Sequence, residues 1–217
     1  MNKEYIMGEI KFIRIFILLI FLSNNFLSFG QKQINTKTKI LEIKCDTIYP
    51  NQNITLKLLK YEFESEGFDG EKNSVFIIEQ KNQNSKKVIF KENVFSSTQE
   101  IEFKDYNNDN FKDILVQNIS DIRSNLTYNL YLFDPKTNKF KKVIGFEEIK
   151  SPKFNKKYNI IESYVVSGRN WTSFYKIVKN KIYDYNIAIE YGENENGVNK
   201  YDEEYKKAIK KILKTKI

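Results

Sequence analysis

An all-β fold of antiparallel strands is predicted by three features. Apolar and polar residues alternate with period two through most of the chain, the pattern of half-buried strands. The alternating runs are rich in Tyr, Phe, Val and Ile, which fit a pleated surface with one face in a core. Short polar turns separate the runs, as antiparallel neighbours require. So many strands need antiparallel sheets closed as a sandwich or propeller-like arrangement, because open edges invite pairing with other chains.

The first element is an export signal over residues 1–30. Lys11 and Arg14 precede the apolar run Ile15 to Leu22, and Ser28 and Gly30 supply small residues before a cut at Gln31. Met7 is an alternative start and an uncleaved anchor an alternative fate, although the run is short for a bilayer span. A single β domain then occupies 31–217, since 217 residues with 41% hydrophobic content make one good core. After a polar stretch from Gln31 to Thr38, candidate strands run Ile40 to Cys45, Ile54 to Phe63, Ser74 to Glu79, Lys87 to Phe90, Glu100 to Phe103, Asp113 to Gln117, Tyr128 to Phe133, Phe140 to Val143, Tyr158 to Ser167, Thr172 to Val178 and Ile182 to Glu190. Asp69-Gly70 sits in an acidic hairpin with Glu62, Glu64, Glu66 and Glu71, either solvated or holding a second cation. Asp134-Pro135 begins a hairpin turn, and Lys179-Asn180-Lys181 joins the last two long strands.

The period changes at the end. Tyr205, Ala208, Ile209, Ile212 and Leu213 form one stripe of an amphipathic helix over about 201–215, with Asp202 as its cap and lysines beyond. The width of the stripe suits packing on a sheet; a membrane-surface helix is the alternative.

Composition excludes much chemistry. There is no His and one Cys, Cys45, so a Ser-His-Asp or Cys-His nucleophile, a His-ligated zinc and an internal disulfide are all ruled out. Cys45 reads as a small half-buried residue. Removing the leader, with Lys3, Lys11 and Arg14 against Glu4 and Glu9, takes the formal charge from +8 to +7. The basic residues are spread along every segment, so no nucleic-acid site stands out, and export argues against that partner.

Oxygen chemistry remains, and Asp105-Tyr106-Asn107-Asn108-Asp109-Asn110-Phe111-Lys112-Asp113 carries it. Asp105, Asn107, Asp109 and Asp113 stand at positions one, three, five and nine of a tight loop, with the Phe111 carbonyl between, a layout suited to Ca²⁺. Asn110 replaces the glycine of the sharp turn, which Asn tolerates. Val116 stands where a bidentate Glu would sit in a helix-loop-helix version, so fewer ligands and an affinity on the order of 10⁻⁴ to 10⁻³ M are expected. A plain polar turn is the alternative.

The leader, the loop from Phe103 to Leu115 feeding a strand, Tyr131-Leu132-Phe133-Asp134 and Asn138-Lys139-Phe140 together resemble small exported bacterial β-proteins. These are related to periplasmic inhibitors of invertebrate-type lysozyme and to immunity proteins against lysozyme-like secreted effectors. The resemblance covers Val75 to Tyr183, and its loop also resembles that of FG-GAP repeats. It implies a periplasmic or extracellular protein that plugs a muramidase cleft without catalysing. It also implies a partner-binding loop made of Ser167, Gly168, Arg169, Trp171 and Tyr175, whose Ser and Arg suit carboxylates and whose aromatics suit an interface. The other readings are a hairpin loop with packed aromatics, a module for an anionic surface polymer, and a carboxylate-based glycosidase.

Overall fold

The computed structural model describes residues 37–62, 72–82, 85–192 and 200–217. The candidate leader and the acidic Asp69-Gly70 hairpin lie outside them. Among the described residues, twelve strands make three antiparallel four-stranded sheets, each a meander in chain order. The first holds β1 (Lys37–Lys44), β2 (Ile54–Glu62), β3 (Ser74–Asn82) and β4 (Ser85–Val94). The second holds β5 (Ile101–Lys104), β6 (Asp113–Ser120), β7 (Leu126–Asp134) and β8 (Lys139–Lys142). The third holds β9 (Pro152–Asn155), β10 (Ile160–Val165), β11 (Trp171–Val178) and β12 (Lys181–Glu190), and helix α1 (Tyr201–Lys214) follows.

The sheets pack through shared cores in a sandwich-like way, and no barrel closes. Alternation along β6 and β7 explains the order of the layers. Ile114, Val116, Tyr131 and Phe133 enter one cluster with Leu56, Leu58, Phe76 and Ile78 of the first sheet. Their neighbours Leu115, Leu130 and Leu132 enter a second cluster with Phe146, Ile149 and Ile161, against which Phe154, Tyr175 and Ile177 of the third sheet pack. The middle sheet is therefore buried on both faces, which is why β6 and β7 read as near-continuous apolar runs. The far face of the third sheet, through Ile160, Phe174 and Ile189, is covered by Ala208, Ile209 and Ile212 of α1.

Several local details differ from expectation. β9 was not foreseen: Pro152 and the lysines around it mask a short edge strand that Pro can begin. Asp202 does not cap α1. The cap is Lys200, with no side-chain hydrogen bond, and Asp202, Glu203 and Glu204 instead meet the positive end of the helix dipole in the first turn. Leu213 is 62% exposed, so the apolar stripe ends at Ile212. Cys45 is completely buried, and burial pushes its thiol up to about 11, as befits an inert core residue. The β11–β12 hairpin turns on Lys179 and Asn180, both with positive φ, the geometry that matches strand twist. Asparagine supplies eight of the twelve positive-φ non-glycine residues described, so the Asn-rich chain uses Asn where others use Gly. No helix among the described residues is long and apolar enough to cross a membrane.

Candidate functional site

The loop 105–112 joins β5 to β6, and its carboxylates are turned inward. Asp105 accepts the backbone N–H of Asn108 through Oδ1 at 2.7 Å and that of Asn110 through Oδ2 at 3.0 Å. Asp109 Oδ1 accepts the N–H of Phe111 at 2.8 Å, and Asn107 Oδ1 that of Asp109 at 3.2 Å. Asn107 Nδ2 donates to Asp109 Oδ2 at 2.8 Å. Asn110 has φ 69°, the left-handed conformation its position needs. The loop is tied down behind by Tyr49, whose hydroxyl donates to the Lys112 carbonyl at 2.9 Å, and by the Tyr106 hydroxyl, which donates to the Pro152 carbonyl at 2.9 Å.

Asp113 has a different setting from its three loop companions. It is completely buried, and its two oxygens accept the N–H groups of Tyr106 at 2.8 Å and Phe133 at 3.1 Å. Burial pushes its carboxyl up to about 7, the two N–H groups pull it down, and Asp109 and Asp105 push it further up. The three acids thus do not converge as a cluster: among the described residues no group of three acidic or Cys side chains stands ready to hold an ion. A cation held at this loop would have to rely on mixed oxygens, namely the Asp105 and Asp109 carboxylates, the Asn107 amide oxygen and the Phe111 carbonyl. Asp105 Oδ1 already accepts two N–H groups, from Asn107 and Asn108, whereas Asp105 Oδ2 and Asp109 Oδ1 each accept one and keep a further lone pair, and an all-oxygen donor set suits a hard ion. Asp113 acts from beneath as the post that ties the loop to β7. No ion pair of the described residues involves Asp105, Asp109 or Asp113.

The second candidate, residues 166–170, joins β10 to β11 and is closed on itself. Ser167 N–H donates to Asn170 Oδ1 at 2.9 Å, and Ser167 Oγ bonds both the N–H and the carbonyl of Arg169. Asn170 Nδ2 donates to the Tyr164 hydroxyl at 3.1 Å. Gly168 and Arg169 stand exposed at the tip, and a Cβ added at Gly168 would meet nothing within 4 Å. Trp171, half-buried, begins β11 opposite Val165. Tyr175 is not brought to this loop. It pairs with Ile161 and Asp184, roughly 13 Å along the strand from Trp171, and packs toward the middle sheet.

The loop's root depends on a residue that the sequence shows only as part of an Asn-Leu-Thr triplet. Asn125, 2% exposed, accepts the Val166 N–H at 2.9 Å and donates to the Val166 carbonyl at 2.8 Å, imitating a strand partner. The same amide donates to Asp121, which also pairs with Lys150 Nζ at 3.0 Å. The available signal was Asp121 opening a short polar run, a residue whose side chain closes a turn by accepting the N–H two residues on, here that of Arg123.

In comparisons with family models, with curated proteins and with solved structures, nothing matches the chain.

Proposed function

We propose that this is an exported binding protein, with Ca²⁺ as a structural ion at residues 105–113 and a protein partner at residues 166–171, the partner being a lysozyme-like peptidoglycan hydrolase. The observation that carries the reading is the state of the second loop. Its backbone is held by its own Ser167 and Asn170 and clamped by Asn125, while the Arg169 guanidinium at its tip has no partner among the described residues. A loop fixed before binding loses little entropy on docking. A free guanidinium is the side chain best shaped for a carboxylate, and the paired acids of a muramidase cleft supply that target. Ser167 Oγ is already engaged within the loop, so it shapes the tip and Arg169 makes the contact. Trp171 beside it is the anchor. The ion does no chemistry; it holds the β5–β6 loop.

The test is capture and inhibition of a muramidase panel, including lysozyme-like effectors, by the purified protein. Capture that falls at least about tenfold in Arg169→Glu, where a favourable charge contact becomes a repulsive one, supports the reading. Capture unchanged by Arg169→Glu, or inhibition of no muramidase, overturns it.

A further inference from the structure

Beside the β5–β6 loop, next to the edge strand β9, lies a cleft of about 840 Å³ rimmed by lysines. Lys104 and Lys112 come from the two ends of the loop, and Lys153 and Lys156 from β9 and the turn after it. All four are exposed. Lys104 is neutralised by Glu102. Lys156 reaches only the Asn110 amide oxygen at 3.4 Å, and no carboxylate of the described residues pairs with Lys112, Lys153 or Lys156. The one acid lining the cleft, Asp105, is turned to backbone N–H groups. Three exposed ammonium groups about one opening, none of them paired with a carboxylate of the described residues, give an anion a favourable field to enter. Between them the lining is mixed, with half-buried Leu126, Pro152 and Phe154 beside Ser124 and Ser151.

We infer that this cleft binds an anionic glycan: a few sugar rings lie against Leu126, Pro152 and Phe154 with hydroxyls toward Ser124 and Ser151, and their sulfate or carboxylate groups meet Lys112, Lys153 and Lys156. The volume is that of a site for a ligand of a few rings. Other polyanions fit less well. Tyr106 and Tyr128 are only 2% and 8% exposed, so nucleobases would find no row of aromatic faces to stack on. An acidic peptide adding as a strand to β9 meets Pro152, which has no N–H and whose carbonyl already accepts the Tyr106 hydroxyl. The inference rests on neither the ion nor the projecting loop, so it stands or falls apart from the reading above.

The experiment is titration of the full chain with a sulfated hexasaccharide of the heparin type, at two salt concentrations. The double variant Lys112→Glu with Lys153→Glu weakens binding on the order of tenfold or more and flattens the salt dependence. Lys210→Glu with Lys211→Glu, exposed residues of α1 that change the net charge equally, shifts binding by less than about twofold. Equal losses in both double variants would mean attraction to net charge alone and would overturn the site. Failure of the unaltered protein to bind, or equally tight binding of a single-stranded oligonucleotide of matched charge, would overturn it as well.

Discussion

The loops at the two ends of β6 are both short polar turns built on an aspartate, and they dispose of its charge in opposite ways. At 121–125, Asp121 accepts the N–H groups of Arg123 and Asn125 and the Asn125 amide, and Lys150 lies 3.0 Å away. The turn is complete from the chain's own atoms. At 105–112, Asp105 and Asp109 accept N–H groups and no ammonium of the described residues pairs with them, while Asp113 is buried below with its carboxyl raised. Dipoles alone hold that negative charge. The turns differ in acid count, Asp105 and Asp109 in the one against Asp121 alone in the other, and of these three carboxylates only Asp121 is met by an ammonium among the described residues.

The largest effect should come from the buried post of the first loop. Asp113→Ala leaves the Tyr106 and Phe133 N–H groups without acceptors, and about 2–4 kcal/mol of stability should be lost in urea unfolding. A loss under about 0.5 kcal/mol would show that water replaces the carboxylate and that the loop does not depend on it. Asn125→Ala is the matching test of the second loop. It orphans both backbone groups of Val166, for a loss of about 2 kcal/mol, and hydrogen exchange at Val166 and Ser167 should speed up; unchanged exchange would mean the 166–170 loop holds itself.

Smaller effects sharpen the contrast. Asn110→Gly should leave stability within about 0.5 kcal/mol, whereas Asn110→Val should cost about 1–2 kcal/mol, because a branched side chain strains the left-handed backbone. Equal costs would mean the turn rearranges freely. The smallest effect concerns acid. The hydrogen bonds from Asn125, with Lys150 beside them, hold the Asp121 carboxyl well below its ordinary value of 3.8. A depressed folded-state pKa stabilises above the unfolded value and is lost as pH falls. Melting temperature should therefore decline from about pH 4 downward more steeply in the unaltered protein than in Asp121→Asn, by linkage. Parallel acid limbs would mean that Asp121 is not held in this way in solution.

Much of the fold was legible, and the failures have physical causes. Alternation and apolar runs marked eleven of the twelve strands, and β6 and β7 stood out because both their faces are buried. β9 was hidden since Pro152 and Lys153 read as turn, although an edge position tolerates both. The helix stripe overran to Leu213 because periodicity cannot tell where the sheet beneath it stops. For the sites, the left-handed Asn110 could be foreseen from the loop's spacing, and Asp113 turning away to Phe133 could not, since that N–H comes from a strand twenty residues on. The same limit hid the lysine cleft, where β9 meets a loop some forty residues earlier; the distance of Tyr175 from Ser167, by contrast, follows from the extended strand between them.

The contrast between the two ends of β6 is decided by melting the protein in millimolar calcium and in chelator, beside Asp109→Ala. Calcium at ten times its dissociation constant stabilises by about 1.4 kcal/mol and should raise the melting temperature by about 3–6 °C, and Asp109→Ala should abolish the rise. Identical curves with calcium and chelator would show that the 105–112 loop, like the one around Asp121, is complete without an ion.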